Sequence, residues 1–495
     1  MRSTVFQFLL LSGFLLLFQN TSSQIANFEP SFKESKKLPF KIKKNQNFTF
    51  GYLTVLEDRS KPNGKTIKLP VYIFKSRSKT PQKDPIIYTV GGPGSSTMYS
   101  APYMEYYKYL DDRDFILFEQ RGTKFAKPHL DCPEWGDATY FSNQPEYSNV
   151  QKDSAIQDAA KKCRERLLKE GNNINTYKTT TIAEDIEDLR KALGIETYNL
   201  LTISYSTKIA QVLMRDYPKN IRSVVMDSPL PLEVNYAEES IQNLLNSYHK
   251  LFEDCKKDRG CNEAYPNLEE RFFNSLLEKT KEPLQIKILS TNGKKESIFR
   301  LRGKDLIGFF GQFSTSDIPN VPGIIDQFIK EDYNLLKESL RSSMESKSDG
   351  EGMGMRLSVW CAEETSFVSD TVIKAESNKY PSIKGTDPYL FDLEICEIWN
   401  VNSETDTENK PVISTIPVLL ISGEYDNATP EKWAKQMLPN LKNGFHLTFK
   451  GWLHTPTTNW GNPCAMEAAN QFFNNPSKKP NPACFKKIGT PKFVY

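Results

Sequence analysis

The chain has 495 residues, of which 38% are hydrophobic, so it is long enough for one to three domains with a sizeable core. Its 64 basic residues nearly balance its 61 acidic ones, and a net charge of +3 gives no electrostatic reason to expect a nucleic-acid partner. Beyond the N-terminal region, no stretch offers the roughly 18 apolar residues that a membrane-spanning helix requires.

The N-terminus has the pattern of a signal peptide. Arg2 supplies a positive charge, "FLLLSGFLLLF" supplies an apolar run, and "NTSSQ" supplies small residues for cleavage. We therefore predict that residues 1–23 are removed after Ser23 and that the mature chain is secreted or periplasmic, with no membrane attachment. An uncleaved anchor is the alternative, although the apolar run is short for a membrane span.

The cysteines fit an exported protein. Their even number predicts disulfides, and pairing in order along the chain would close four short-to-moderate loops. The sequence has no C-x-x-C motif and only four histidines, so we predict no metal site. The cysteines are Cys132, Cys163, Cys255, Cys261, Cys361, Cys396, Cys464 and Cys484.

The first predicted elements are strands. From Phe50, "FGYLTVLEDRSKPNGKTIKLPVYIF" alternates in hydrophobicity and is broken by "KPNG", which predicts a β-hairpin. "PIIYTV" at 85–90 and "DFILFEQRG" at 114–122 are short apolar runs typical of buried strands.

Helices and strands then alternate. "TTTIAEDIEDLRKALGI" has helical spacing, and Thr181 with Glu184 suggests a capping box at its start. "TYNLLTI" predicts a strand, "TKIAQVLMRDYP" a helix that Pro218 ends, and "RSVVMDSPL" another strand. This alternation predicts an α/β fold in which helices cover both faces of a mostly parallel sheet.

A polar and largely helical region interrupts this pattern, which resumes with the strands "IPVLLISGEYD" and "GFHLTFKGWLH". Within it, residues 347–356 are expected to form a loop. We therefore predict a core domain in two parts, 24–227 and 411–495, with a helical cap inserted at 228–410.

Residues with catalytic chemistry follow several of the strands. Ser204 lies between a strand and a helix, Asp426 follows a later strand and His454 the last one, in the chain order of one class of serine hydrolase. "GGPG" at 91–94 follows another strand, so Gly92 and Tyr205 could offer backbone N–H groups to an oxyanion. Singly, each feature is more often a helix cap, a turn or a structural histidine.

Together these segments resemble a known family. "YTVGGPGSST", "ILFEQRGT", "DIEDLRKALGIETYNLLTISYSTKIAQVLMRDYP", "GEYDNATP" and "GWLHT" are similar to the secreted tripeptidyl aminopeptidase and proline iminopeptidase group of α/β-hydrolases. The resemblance implies an α/β-hydrolase fold with an inserted helical cap, and a serine exopeptidase that releases residues from peptide N-termini. It also implies Ser204 as nucleophile, Asp426 as orienting acid, His454 as base, and Gly92 and Tyr205 at the oxyanion hole.

The sequence departs from the family at the nucleophile. The family pattern is G-x-S-Y-G, whereas this chain has Thr202 and Ser206 at the glycine positions. Both are small enough to fit if strand and helix separate slightly, but a misplacement of Ser204 by about 1 Å would cost on the order of a hundredfold in rate. Glu119 stands where the family usually has Asp, and we expect Glu119 and Arg121 to be structural.

The resemblance also suggests where substrate is recognised. Glu363 and Glu364, in "VWCAEET", resemble the cap segment in which relatives hold the substrate amine. The alternative is a solvated pair on a helix.

We therefore predict an exported serine aminopeptidase that acts on peptides with a free N-terminus and needs no cofactor. An esterase of the same fold is one alternative, because the same residues hydrolyse both kinds of bond. A catalytically impaired binding homologue is another, because of the altered turn around Ser204. The sequence predicts neither the number of residues released nor the oligomeric state.

Overall fold

A computed structural model describes residues 28–44, 46–311, 313–386 and 393–495. The predicted signal peptide lies outside these residues. In the part of the chain described here, no helix is both long and apolar enough to cross a membrane.

The strands form one large sheet and one small ribbon. In the large sheet the order is β1-β2-β3-β5-β4-β6-β7-β10-β11, and β8 pairs with β9. In chain order the strands are β1 (Ser31–Glu34), β2 (Phe48–Leu56), β3 (Thr66–Phe74), β4 (Gln82–Thr89), β5 (Arg113–Phe118), β6 (Tyr198–Ile203), β7 (Ile221–Asp227), β8 (Leu284–Leu289), β9 (Glu296–Leu301), β10 (Val418–Gly423) and β11 (Gly444–Phe449).

Nine of the described α-helices, α5 to α13, lie between β7 and β10 in the chain, and the other six lie before β7 or after β10. In chain order the α-helices are α1 (Pro133–Ser142), α2 (Asn149–Lys169), α3 (Thr179–Ala192), α4 (Ser206–Asp216), α5 (Tyr236–Lys257), α6 (Arg259–Ala264), α7 (Leu268–Lys281), α8 (Gly303–Phe310), α9 (Val321–Ile329), α10 (Asn334–Glu345), α11 (Met353–Glu363), α12 (Asp370–Asn378), α13 (Leu393–Trp399), α14 (Glu431–Met437) and α15 (Cys464–Asn474).

The strand order and directions are those of the α/β-hydrolase fold, so the predicted fold class is confirmed. The strands from β5 through β4, β6, β7 and β10 to β11 run parallel, whereas β1, β2 and β3 are antiparallel to their neighbours. The carboxyl ends of the parallel strands therefore meet at one edge, which is where open α/β sheets bind their ligands.

Both faces of the sheet are buried. Successive residues of a strand point to opposite faces, so Leu200 and Leu201 of β6 join different hydrophobic clusters. Leu200 packs in the cluster that contains Ile186 of α3, whereas Leu201 lies in the cluster that contains Phe472 of α15. Helices therefore pack against both faces of the sheet beside the edge where the parallel strands end.

The region between β7 and β10 has a core of its own. A third hydrophobic cluster collects apolar residues of helices from α5 to α10, among them Phe272 and Phe310. The ribbon of β8 and β9 interrupts these helices, and the sequence analysis did not predict it. Ile286 and Ile288 face the cluster while their neighbours along the strand are exposed, which is the alternation of a half-buried strand.

Two local predictions were wrong. Helix α3 begins at Thr179 after Lys178, so Thr181 lies inside the helix rather than at its cap. Glu363 of α11 accepts hydrogen bonds from the N–H and hydroxyl of Thr179 at 2.6 Å each, and this tertiary partner replaces a local cap. The predicted loop at 347–356 ends early, because α11 starts at Met353 after Gly352 in the left-handed conformation.

Four disulfides pair the cysteines in chain order. Cys361 of α11 bonds Cys396 of α13, which links the helix that lies over the sheet edge to the last helix before β10. The other pairs are Cys132–Cys163, Cys255–Cys261 and Cys464–Cys484.

Candidate active site

Ser204 occupies the tight turn between β6 and α4. Its φ is 56°, a left-handed conformation that is unusual for a residue other than glycine and that is characteristic of functional turns. Its backbone N–H donates to the carbonyl of Asp227 at 2.9 Å, which fastens the turn to the end of β7. The side chain is half-buried and lines a cavity of about 420 Å³.

The residues that replace the family's glycines fit the turn. The Ser206 hydroxyl is buried, accepts from the Ile203 N–H at 2.8 Å and lies 2.8 Å from the Thr89 carbonyl, to which it can donate. It therefore connects the ends of β6 and β4. Thr202 is also buried, and its hydroxyl lies 3.4 Å from the Val225 carbonyl of β7. The hydroxyl groups satisfy backbone groups at the positions where the family has glycine.

His454 and Asp426 lie on the loops that follow β11 and β10. His454 Nδ1 is 2.8 Å from Asp426 Oδ2 and 3.1 Å from the hydroxyl of Thr429. Asp426 is buried and also accepts from the backbone N–H groups of Ala428 and Thr429 at 2.9 Å each. These contacts fix the imidazole ring, whose Nε2 is the nitrogen left to act on a substrate.

The charges of this pair shift both pKa values. Burial alone would lower the pKa of His454, but the charge and hydrogen bond of Asp426 raise it above its ordinary value. Burial would raise the pKa of Asp426, yet the imidazole and the hydrogen bonds from Thr429 hold it below its ordinary value. Asp426 is therefore ionised near neutral pH and can stabilise an imidazolium.

Ser204 and His454 line the same cavity. Among the described residues, the structure shows no hydrogen bond between the Ser204 hydroxyl and the imidazole. Catalytic hydrogen bonds of free enzymes are often long and tighten only when substrate binds. A serine, an imidazole and a carboxylate are the side chains that a serine hydrolase uses for catalysis.

Glycines bring a loop against the nucleophile turn. A Cβ on Gly91 would lie 2.7 Å from both the Ile203 carbonyl and the Ser204 Cβ, so only glycine allows this approach. Gly92 has a φ of 117°, which also favours glycine. In the described part of the chain, neither the Gly92 N–H nor the Tyr205 N–H donates a hydrogen bond to another protein group, and both residues line the cavity.

Glu119 and Arg121 hold the surrounding loops. Glu119 is buried and accepts from the Ser96 hydroxyl and the Thr97 N–H at 3.0 and 2.9 Å, just after the glycine loop. Burial raises the pKa of Glu119 to about 7. Arg121 makes two hydrogen bonds of 2.7 Å to Asp185. Both residues have structural contacts.

The structure does not bring Glu363 and Glu364 to the cavity. Glu363 is bound to Thr179, whose hydroxyl also lies 2.8 Å from the Tyr205 phenol, and Glu364 forms an ion pair with Lys208. Both carboxylates are buried among these partners beneath α4. The amine-binding role predicted for them therefore has no support in their positions, and their burial is not that of a solvated pair.

The sequence analysis did not predict the side of the cavity that α5 and α11 form. Arg356 and Trp360, four residues apart on α11, line the cavity together with Tyr236 of α5. Tyr236 packs edge-on against Trp360, with ring centroids 5.3 Å apart. Residues 353–356 were expected to be loop, so the helical spacing that pairs Arg356 with Trp360 was not recognised.

Comparisons with known proteins identify relatives of this chain. The family described as "TAP-like protein" matches residues 386–484, a span that contains Asp426 and His454. The chain is 24% identical to the serine protease Hip1 of Mycobacterium tuberculosis over 463 residues, which cover 88% of this chain and 86% of that protein. It is also 24% identical to a tripeptidyl aminopeptidase of Streptomyces coelicolor over 457 residues, covering 85% and 80% of the two chains.

The chain is also similar to a further relative and to a solved structure. A putative hydrolase, YuaR, of Escherichia coli is 24% identical over 465 residues, covering 88% of this chain and 87% of its own. A proline iminopeptidase structure from Mycobacterium smegmatis matches 83% of this chain and 96% of its own at 13% identity, with a TM-score of 0.38. The fold assignment here rests on the strand order. The sequence matches confirm the predicted resemblance and the prediction that the chain is a hydrolase.

Proposed function

We propose that this α/β-hydrolase, similar to tripeptidyl aminopeptidases, is a serine peptidase that cleaves through an acyl-enzyme on Ser204. One observation carries the proposal: His454, hydrogen-bonded to buried Asp426 at 2.8 Å, lines the same cavity as Ser204. Ser204 also has the strained backbone of a turn that exposes its side chain at the sheet edge.

The proposed reaction has two halves. The Ser204 hydroxyl attacks the scissile carbonyl carbon while His454 Nε2 takes its proton, and Asp426 stabilises the resulting imidazolium. The backbone N–H groups of Gly92 and Tyr205 bind the oxyanion. His454 then protonates the leaving amine, and the C–N bond breaks. Water attacks the acyl-enzyme by the same route, which releases the acid and restores Ser204.

The proposed substrate is a peptide with a free N-terminus, from which the enzyme releases residues or short peptides. The names of the similar proteins, a serine protease and a tripeptidyl aminopeptidase, support this class of substrate. Tripeptides are the most specific product that these names suggest.

Ester hydrolysis is the second candidate, and the composition of the cavity wall favours it. Among the described residues that line the cavity there is no aspartate or glutamate to bind a protonated amine. The same nucleophile and base would hydrolyse an ester.

We also propose that the protein is exported. The N-terminal sequence has the features of a signal peptide, and four disulfides are typical of an oxidising compartment. Sequencing the N-terminus of the natural mature protein tests this part, with a start at Gln24 expected. A natural protein that begins at Met1 would contradict it.

Chromogenic peptides test the enzymatic proposal. We expect the wild type to hydrolyse unblocked di- and tripeptide p-nitroanilides, and S204A to lose this activity by at least about a thousandfold. S142A, which removes a hydroxyl outside the cavity wall, is the matched control and should retain wild-type rates. Equal turnover of N-blocked peptides would eliminate the aminopeptidase assignment, and turnover of esters alone would establish the esterase.

A further inference from the structure

Asp227 ends β7, between the strand that precedes Ser204 and the strand that precedes Asp426. In the sheet it pairs with Ile203 of β6 and with Ile421 of β10. Its backbone carbonyl accepts from the Ser204 N–H at 2.9 Å, and its side chain is fully buried. A buried carboxylate therefore lies at the sheet edge where the proposed catalytic residues meet.

The Asp227 side chain binds the loop that follows His454. Its Oδ2 accepts from the Thr457 backbone N–H at 2.8 Å and from the Thr457 hydroxyl at 2.5 Å. Thr457 is buried and lies in a short 3₁₀ turn, Pro456–Thr458, directly after residues that line the cavity. One residue thus binds the turn of Ser204 through its backbone and the loop of His454 through its side chain.

Ser228 adds a second connection to the same loop. Its φ is 56°, and its N–H donates to the Ile421 carbonyl at 2.8 Å. Its hydroxyl accepts at 2.8 Å from the N–H of Thr455, the residue next to His454. Thr455 has a φ of 60°, so this hydrogen bond stabilises a backbone conformation that is unfavourable for a threonine. Asp227 and Ser228 together hold the backbone that follows the imidazole.

The charge of Asp227 also acts on the imidazole. Burial lowers the pKa of His454, but Asp426, through its charge and hydrogen bond, and the charge of Asp227 raise it above its ordinary value. Burial raises the pKa of Asp227 to about 6, although the hydrogen bonds from Thr457 and the charge of His454 oppose this rise. The charge of Asp426 and the phenol of Tyr109 also face Asp227, and burial keeps the phenol neutral by raising its pKa. Above about pH 6, two carboxylates therefore act on one imidazole.

The hydrogen bonds alone do not explain a carboxylate at this position. The side-chain oxygen of an asparagine can accept the same two hydrogen bonds that Asp227 accepts from Thr457. Burying an ionised carboxylate costs much more free energy than burying a hydrogen-bonded amide. Stabilisation of a positively charged imidazole, in contrast, requires the negative charge.

We propose that Asp227 is a positioning residue of this peptidase, which fixes the loop of His454 against the turn of Ser204 and stabilises the imidazolium that forms during the reaction. The inference rests on the proposed function, since it assigns a further residue to the same reaction. Asp426 contacts the imidazole ring directly, whereas Asp227 acts through Thr457 and through its charge.

The isosteric variant D227N separates the charge from the hydrogen bonds. Its amide oxygen can still accept from Thr457, so the loop is retained while the charge is lost. On a tripeptide p-nitroanilide we expect kcat to fall by about tenfold and KM to stay within about twofold, because the imidazolium forms only after substrate has bound. The acidic limb of the profile of labelling rate against pH should move to lower pH, because the pKa of His454 falls when the charge of Asp227 is removed.

D326N is the matched control for D227N. Asp326 is 4% exposed, accepts from Arg271 at 2.6 Å and lies on α9, outside the cavity wall. The control also removes a buried negative charge, so it should leave kcat and the acidic limb at their wild-type values.

T457V tests the hydrogen bond independently, and it does so even if D227N does not fold. The variant removes the hydroxyl that donates to Asp227 and keeps both carboxylates. We expect kcat to fall by about fivefold, because the loop of His454 loses one of its contacts. A wild-type kcat in T457V would show that Asp227 does not position this loop.

Titration of the imidazole separates this inference from the proposed function. Proton NMR of S204A follows the ring signal of His454, identified by its absence in S204A/H454Q, without any catalysis. We expect the pKa of His454 in S204A/D227N to lie about half a pH unit or more below that in S204A. An unchanged pKa, or an unchanged acidic limb in D227N, would overturn the role of Asp227. Wild-type protein that neither reacts with fluorophosphonate nor hydrolyses peptides, yet shows this change in pKa, would instead contradict only the proposed function.

Discussion

Ser206 shows how a serine fits at a position of the turn around Ser204 where the similar family has glycine. Its hydroxyl lies between the Ile203 N–H and the Thr89 carbonyl, so the atom that glycine lacks connects two neighbouring strands. The motif T-I-S-Y-S therefore does not by itself indicate a lost enzyme. The sequence could indicate that a serine is small enough for the site, but it could not show these partners, because Thr89 is more than a hundred residues away.

Removing this hydroxyl should weaken both the fold and the reaction. S206A leaves the Ile203 N–H and Thr89 carbonyl buried without this partner, so we expect the free energy of unfolding to fall by about 1–3 kcal/mol. We also expect kcat to fall more than KM rises, because Ser204 is two residues away. Denaturant titration and steady-state kinetics measure the two effects.

S142A provides the comparison for S206A. The Ser142 hydroxyl is buried without a hydrogen-bond partner in the described structure, so its removal should leave stability unchanged or slightly higher. If S206A and S142A behaved alike, the bridging role of Ser206 would be wrong.

The charge of Asp426 should set the acidic limb of the pH profile. His454 must be neutral to accept a proton, and Asp426 raises the pKa of His454, so activity should be lost as the pH falls through a value above the ordinary imidazole range. D426N should move this limb to lower pH and reduce kcat by about ten thousandfold. The rate of fluorophosphonate labelling against pH measures the shift in both proteins.

His446 is the control for this profile. Burial lowers its pKa to about 4, and it lies on β11 with its Nε2 3.2 Å from the Ser422 hydroxyl. H446Q should leave the acidic limb in place. A limb that stayed unchanged in D426N would show that another group controls the base.

At the scale of elements, a contact between α3 and α11 supports α4, the helix that follows Ser204. Glu363 at the end of α11 accepts hydrogen bonds from Thr179, the first residue of α3. The Thr179 hydroxyl also contacts the Tyr205 phenol. Glu363, which the sequence suggested as a substrate ligand, thus connects α11 to α3 and α4. The spacing and charge of Glu363 and Glu364 resembled the family's amine-binding segment, but only the packing of α11 against α3 and α4 shows which way they point.

This contact should make stability depend on pH. Burial raises the pKa of Glu363 to about 7, above its ordinary value of 4.5. The folded state therefore binds this proton more tightly than the unfolded state, and its contribution to stability is complete below pH 4.5 and lost as the pH rises through 7. E363Q should lessen the fall in melting temperature between pH 5 and 8, which calorimetry measures.

An exposed glutamate gives the reference for E363Q. Glu263 on α6 pairs with Arg259 at the surface, where solvent screens the charge. E263Q should reproduce the wild-type dependence of melting temperature on pH. If E363Q did the same, Glu363 would not carry the pH dependence.

For the whole molecule, the alternation of strands and helices predicted the sheet, because buried parallel strands appear as short apolar runs such as residues 85–90. The ribbon of β8 and β9 escaped prediction, since its strands lie in a polar region and only one face of each is buried. The sequence also did not predict the cavity wall that contains Arg356. Its helix begins in a segment rich in glycine and serine, where contacts with Gly94 and Asp131 stabilise the first turn.

The sheet edge gathers residues from the whole length of the chain. Ser204, Asp426 and His454 follow three parallel strands, and the long region between β7 and β10 contributes Tyr236, Arg356 and Trp360 to the same cavity. The positions of the first three could be predicted from the ends of the strands. The contribution of the inserted region could not, because no sequence pattern fixes how its helices lie over the sheet.

Mass spectrometry of the protein after treatment with a fluorophosphonate tests the central claim most directly. We predict one adduct per chain, located on Ser204 by peptide mapping, absent in S204A and formed at least about a thousandfold more slowly in H454A. An untouched wild-type protein, or an adduct on another residue, would contradict the claim that Ser204, His454 and Asp426 form one catalytic site.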